Sequence, residues 1–253
     1  MKKLAPYTEL LSRRRALGLF GATATLLGCG GGGSTSSTTS TAMSSTGGTT
    51  GGTTGSVSCI LTPEETAGPY PLFNDIASAS TYTREDITEG KTGVPLRLLL
   101  TFVNVNSSCA PITNALVYTW HCDKDGAYSG YNQPGSNTVG ETFCRGVQMT
   151  DSSGVARFTT IYPGWYSGRI THVHFRVYLG NSLEATSQLA FPQDVTRVVY
   201  TSSLYAARGQ NTSVASFSAD NVFADGEQYQ LCTMSQNATT GGYDAALTVG
   251  VAL

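Results

Sequence analysis

The feature that most constrains this chain is a succession of short alternating runs with no helical period between them. Val94 to Val103, Ala115 to His121 and Gly154 to Ile161 each read as a strand. The third of these is entered through the turn signal Asp151-Ser152-Ser153-Gly154. His172 to Leu179, Ser187 to Phe191, Gln228 to Met234 and Ala245 to Val251 extend the series. No long segment keeps the helical apolar repeat, and Asp194 to Ala207 has room for one or two helical turns. Short strands separated by Gly, Pro, Asn and Ser clusters predict an all-β, two-sheet β-sandwich with short helical turns. There is no internal repeat.

The predicted sandwich occupies residues 57–253, about 195 residues, enough for one domain with a sizeable core. What precedes it has a different composition. Lys2, Lys3, Arg13, Arg14 and Arg15 form a basic start, followed by an apolar run from Ala16 to Leu27. That run is too short to span a bilayer, so residues 1–28 read as a signal peptide. Ser12-Arg13-Arg14-Arg15-Ala16-Leu17 is similar to a twin-arginine export signal. Leu26-Leu27-Gly28-Cys29 is similar to a bacterial lipobox, which makes Cys29 the expected lipidation site. Residues 29–56 are almost wholly Gly, Ser and Thr, which bury too little to offset their ordering entropy, so a disordered tether is expected. The expected location is the bacterial cell envelope, lipid-anchored at Cys29 or secreted, with membrane contact only through the lipid.

Net charge is −2 and no basic run follows the signal, so nothing marks a nucleic-acid footprint. Setting Cys29 aside leaves Cys59, Cys109, Cys122, Cys144 and Cys232. Five is odd, so at most two disulfides form, with connectivity left open. Their scattered spacing argues against a cysteine zinc site.

The chemistry concentrates in Tyr162-Pro163-Gly164-Trp165-Tyr166-Ser167-Gly168-Arg169-Ile170-Thr171-His172-Val173-His174-Phe175. Two of the chain's three histidines alternate here on a predicted strand, so both rings project from one face, with Cα atoms about 6.6 Å apart. Two imidazoles at that spacing can share a metal ion; a strand with two surface histidines is the plainer reading. Upstream, Val117 to Tyr131 is a strand running into the polar turn Asp123-Lys124-Asp125-Gly126, which sends Tyr128 off a strand end. Asp123 and Asp125 lack the rest of a calcium loop. His121 reads as a packing residue beside Trp120.

Together these stretches resemble the intradiol ring-cleavage dioxygenases, the protocatechuate and catechol dioxygenase family. Four matches in order carry the resemblance: Thr66-Ala67-Gly68-Pro69-Tyr70, Pro111 to Tyr128, Pro163-Gly164-Trp165-Tyr166, and Arg169-Ile170-Thr171-His172-Val173-His174. Asn114 stands where glycine is usual. The resemblance implies a mononuclear non-haem Fe(III) held by Tyr128, Tyr166, His172 and His174, with hydroxide as fifth ligand. Phenolates suit a hard ferric ion, and neutral imidazoles add no charge. It implies cleavage of a catechol by O2 between its hydroxyl-bearing carbons, giving a cis,cis-muconate. Tyr166 would be the displaced ligand and a base, Arg169 would stabilise charge on the substrate, and Gln188 would support it. Tyr70, Trp165 and Tyr131 would line the substrate mouth. Only Ser167 to Thr171 separate Tyr166 from His172, which shortens the pocket roof; Tyr162 is the alternative ligand, and the Pro-Gly-x-Tyr match favours Tyr166. No second basic residue is placed to bind a substrate carboxylate, which favours uncharged catechols. The rival readings are a cell-surface binding module that has lost its iron, and a copper or zinc protein built on the histidine pair.

Overall fold

The computed structural model describes residues 59–72, 79–80 and 82–253. The predicted signal, the Cys29 lipidation site and the tether lie outside the described residues. Eleven strands occur among those described: β1 (Pro95–Asn104), β2 (Ala110–Pro111), β3 (Leu116–Trp120), β4 (Asn132–Gln133), β5 (Ser136–Asn137), β6 (Arg145–Met149), β7 (Val155–Ile161), β8 (His172–Leu179), β9 (Ser182–Ala190), β10 (Thr233–Asn237) and β11 (Gly242–Val251). One α-helix is described whole, α1 (Gln193–Thr201), with two 3-10 turns, Phe217–Ala219 and Phe223–Asp225; Ala79 and Ser80 are also helical.

The strands form the expected two-sheet sandwich. In the first sheet, β1 is the hub: it pairs in parallel with β11, and antiparallel with β7 and briefly β2, while β10 extends the β11 edge. The second sheet runs β6-β3-β8-β9, all antiparallel, and β4 and β5 make a separate hairpin. Alternation decides which side chains meet. Leu96, Leu98, Leu100 and Phe102 of β1 point inward with Phe158, Ala245, Leu247 and Val249. Facing them across the core are Val117, Val173, Phe175, Val177 and Leu189. Each such Leu, Val or Phe contributes roughly 1.5–3 kcal/mol by leaving water. Phe102 and Phe175 join the two layers edge to face, 6.1 Å between centroids.

The same alternation sends the intervening residues of the second sheet outward. Trp120 pairs with His174 and Tyr118 with Arg176, so both histidines lie on the outer face of the second sheet. That face carries its own apolar cluster, Tyr118, Trp120, Tyr128, Val147 and Tyr178, against which Ala67, Tyr70 and Leu72 pack. Two boundaries show the largest differences from expectation. β9 begins at Ser182, not Ser187, because a tight hairpin at Gly180 pairs its polar half with β8. β10 lies at Thr233–Asn237 because residues before it cross between sheets: Leu231 bridges to Ala190 of the second sheet before β10 joins the first. Of the expected helical stretch, only Gln193–Thr201 is α-helix. Among the described residues no helix is long and apolar enough to cross a membrane.

Candidate metal centre

Four side chains from three segments converge at one end of the outer face. His172 Nε2 lies 3.2 Å from the hydroxyl of Tyr128, 3.2 Å from that of Tyr166 and 3.1 Å from His174 Nε2. Tyr162 is elsewhere: its hydroxyl meets Thr196 Oγ1 in the main core, so the Pro-Gly-x-Tyr residue is the one brought to the histidines.

Backbone geometry explains how two loops deliver the tyrosines. A Cβ on Gly164 would sit 2.2 Å from the carbonyl oxygen of Lys124, and one on Gly126 would sit 2.3 Å from that of Trp165. The turn before Tyr128 and the Pro-Gly turn before Tyr166 therefore pack main chain to main chain, which only glycine permits. Asp123 Oδ1 accepts the amides of Asp125 and Ala127, and so closes the turn; it is a turn residue, with no part in a calcium loop.

The histidines are held by different means. His172 Nδ1 lies 2.6 Å from the carbonyl oxygen of Ile170, which can only accept, so Nδ1 carries the proton and Nε2 presents a lone pair. His174 stacks on Trp120 at 5.0 Å with 5° between planes, and Gly68 closes its other side: a Cβ there would lie 3.0 Å from Cε1. Both rings are buried. Burial, and then the Arg169 charge, lowers the His172 pKa to about 3; burial and the neighbouring His172 take His174 well below its ordinary value. The imidazoles are therefore neutral at any physiological pH. Burial likewise raises Tyr128 well above its ordinary value, and raises Tyr166 to about 12 against the opposing charge of Arg169.

One lone pair at His172 Nε2 cannot satisfy two hydroxyls, a second ring nitrogen and a guanidinium, all within 3.5 Å. A cation at the centre of the group satisfies all the oxygens and nitrogens at once. Metal bonds of about 2.0–2.2 Å place cis ligand atoms about 2.8–3.4 Å apart, the range seen here. Among the described residues no three His, Cys, Asp or Glu side chains converge. The tyrosines are thus indispensable to any metal bound here, and two phenols with two neutral imidazoles are a donor set for a hard, highly charged ion.

Arg169 is buried and aims Nη1 at the group, 3.5 Å from His172 Nε2. Gln188 accepts from Arg169 Nη2 at 2.7 Å and donates Nε2–H to the carbonyl of Thr66 at 2.8 Å, tying the arginine to the entry segment. Tyr70 stacks on Tyr128 at 4.8 Å and meets Tyr131 edge-on at 5.0 Å. Trp165 is not brought to the site. Its indole N–H donates to Gly209 and Arg208 covers its face at 4.5 Å, so it packs toward the main core. His121 is buried away from the donors, between Cys122 O and Thr160 Oγ1. A cleft of about 510 Å3 beside α1 is lined by Ile170 and Thr171 but by none of the four donors.

Three residues outside the expected set shape the site. Asp220 grips Arg169; Trp120 sets the plane of His174; Arg145, fully buried, donates to Ser129, the carbonyl of Tyr70 and the hydroxyl of Tyr118. Their partners lie far along the chain, so no local spacing announces them.

A β-sandwich with a two-tyrosine, two-histidine focus on its outer face defines a class of proteins by its fold and its side-chain set. Comparison with known proteins narrows it. Residues 68–235 match the family described as Dioxygenase, and the chain belongs to that family, in its intradiol ring-cleavage branch. It is 32% identical over 128 residues to the protocatechuate 3,4-dioxygenase beta chain of Burkholderia cepacia, covering 43% of this chain and 52% of that protein. The chain thus spans about half the length of that curated relative. An intradiol ring-cleavage dioxygenase from Tetranychus urticae superposes with a TM-score of 0.68 at 26% identity, over 77% of this chain and 95% of the other. The dioxygenase domain of a dioxygenase carbohydrate-binding protein fusion from Streptomyces sp. SirexAA-E shares the fold, with a TM-score of 0.55 at 23% identity over 77% of this chain and 99% of the other.

Proposed function

We propose that this chain is an intradiol dioxygenase that holds Fe(III) through Tyr128, Tyr166, His172 and His174 and opens catechol rings with O2. The observation that carries the reading is the meeting of two phenol oxygens and the ring nitrogen of His174 within 3.2 Å of His172 Nε2. Bound there, ferric iron would supply the Lewis acidity that keeps both phenols ionised and the electron exchange that ring opening by O2 requires.

The chain's own residues account for the rest. Tyr128 is fully buried and stacked under Tyr70, so it is a fixed ligand. Tyr166 is partly exposed, and its Oη is the group placed to take a proton from an incoming catechol. Arg169 is aimed at the same point, where a guanidinium in a dry pocket stabilises negative charge gathering on the ring. Tyr70 forms the mouth with Tyr131 behind it. The other guanidinium near the donors, Arg145, lies 5.9 Å over the Tyr128 ring and is already engaged with Ser129, the Tyr70 carbonyl and the Tyr118 hydroxyl, which favours uncharged catechols over those carrying a carboxylate.

The purified protein should bind iron one to one and be red-brown through phenolate-to-iron charge transfer. Catechol should shift the band without air, and oxygen uptake should follow when air is admitted. Tyr166→Phe should weaken the band and His172→Ala should remove iron, each cutting turnover by at least about 100-fold. A colourless protein that takes zinc stoichiometrically and consumes no oxygen overturns the proposal.

A further inference from the structure

Arg169 is held on two sides and free on the third. Its Nε donates to both oxygens of Asp220, at 3.1 and 3.0 Å, and its Nη2 to Gln188 Oε1 at 2.7 Å. Only Nη1 is left to face the four donors. Two pins on a planar fork fix both its position and its plane, which one pin cannot do.

Asp220 is built for that task. It is fully buried between the two 3-10 turns, and its carboxylate also accepts the amides of Ile170 at 2.6 Å and Val222 at 2.8 Å. One side chain thus joins its own loop to the backbone that leads into His172. The surrounding segment converges on the same residue: Asn211 Nδ2 donates to the carbonyl of Arg169, Ser213 Oγ accepts the amide of Gly168, and the Phe223 ring lies 5.8 Å from the guanidinium. A buried guanidinium without a counter-charge is costly, and Asp220 makes the ion pair found here.

We infer that Asp220 is the positioning residue for Arg169, and that residues 211–223 form the clamp that aims its Nη1 at the substrate position. The effect on turnover rests on the ring-cleavage reading; the aiming of the guanidinium does not.

The test therefore has a metal-free arm. In iron-free wild-type protein Arg169 should resist phenylglyoxal, as read by peptide mapping, and in Asp220→Asn it should react about 10-fold faster or more, as expected for one lost charge-assisted contact. A wild-type measurement needs no Asp220 variant to fold: 15N-arginine spectra should show a slowly exchanging Nε–H that vanishes in Arg169→Lys. In the iron-loaded enzyme, Asp220→Asn should lower kcat about 10- to 100-fold with less change in KM and the visible band retained. In an Arg169→Met background the same change should cost no further activity, because both act through one group. A wild-type modification rate in Asp220→Asn, a rapidly exchanging Arg169 Nε–H, or an equal kcat loss in both backgrounds overturns the inference. An inactive chain with a protected Arg169 leaves it standing and sinks the ring-cleavage reading alone.

Discussion

At the scale of single residues, a side chain is placed here either by its immediate neighbours in the chain or by partners far along it. The alternation of His172 and His174 on one strand put both rings on one face, and the Pro-Gly turn singled out Tyr166 over Tyr162. Asp220 was invisible because its partner lies far upstream in another loop. His121 reads in sequence as a packing residue, and the structure gives that role a measurable consequence. Burial, helped by the charge of Arg145, lowers its pKa to about 4, so the folded protein keeps it neutral where the unfolded chain would protonate it. The unfolded state therefore binds more protons between about pH 4 and pH 6.5, and stability falls as pH drops through that window. One such group contributes about 3 kcal/mol across it. His121→Asn, compared with wild type by urea unfolding at several pH values, should show a slope smaller by one proton in that window. Identical slopes would mean that His121 titrates normally.

At the scale of elements, strands with clean alternation were legible and those shaped by close packing at a glycine were not. β6, Arg-Gly-Val-Gln-Met, has no alternating pattern. Its Gly146 is demanded by tertiary packing, since a Cβ there would meet Ile87 Cγ2 at 2.4 Å. The same physics operates between the two tyrosine loops. Gly164→Ala would drive a methyl group into the Lys124 carbonyl, which is backbone and cannot swing aside as a side chain can. The expected cost is about 1–3 kcal/mol of overpacking strain, relieved by separating the loops and so displacing Tyr128 from Tyr166. Thermal unfolding should record the loss of stability, and iron content should fall with it. A variant with wild-type stability and full iron would show that the loops do not need this close approach.

At the scale of the whole molecule, one thin segment links both sheets to the site. Thr62 pairs with Gly250 of β11, Glu65 N donates to the carbonyl of Thr186 on β9, Gln188 reaches Thr66, Gly68 closes over His174 and Tyr70 covers Tyr128. Its start is held by a disulfide between Cys59 and Cys109, with Cα atoms 5.6 Å apart, while Cys122, Cys144 and Cys232 are free and buried. Cysteine counting allowed up to two bridges, and one forms among the described residues. A bridge across a sequence separation of 50 removes enough unfolded-chain entropy to add up to about 4 kcal/mol. Its position adds a functional consequence, because the segment it anchors ends as the roof of the donor group. Cys109→Ser should lower unfolding stability by an amount approaching that figure, and dithiothreitol should bring wild type down to the level of the variant. Because Tyr70 lies at the far end of the freed segment, catechol should bind the variant more weakly, while iron at the proposed site, whose four donors belong to other elements, should stay in place. An unchanged urea midpoint with dithiothreitol would show that the hydrogen bonds from Thr62 to Thr66 hold the roof unaided.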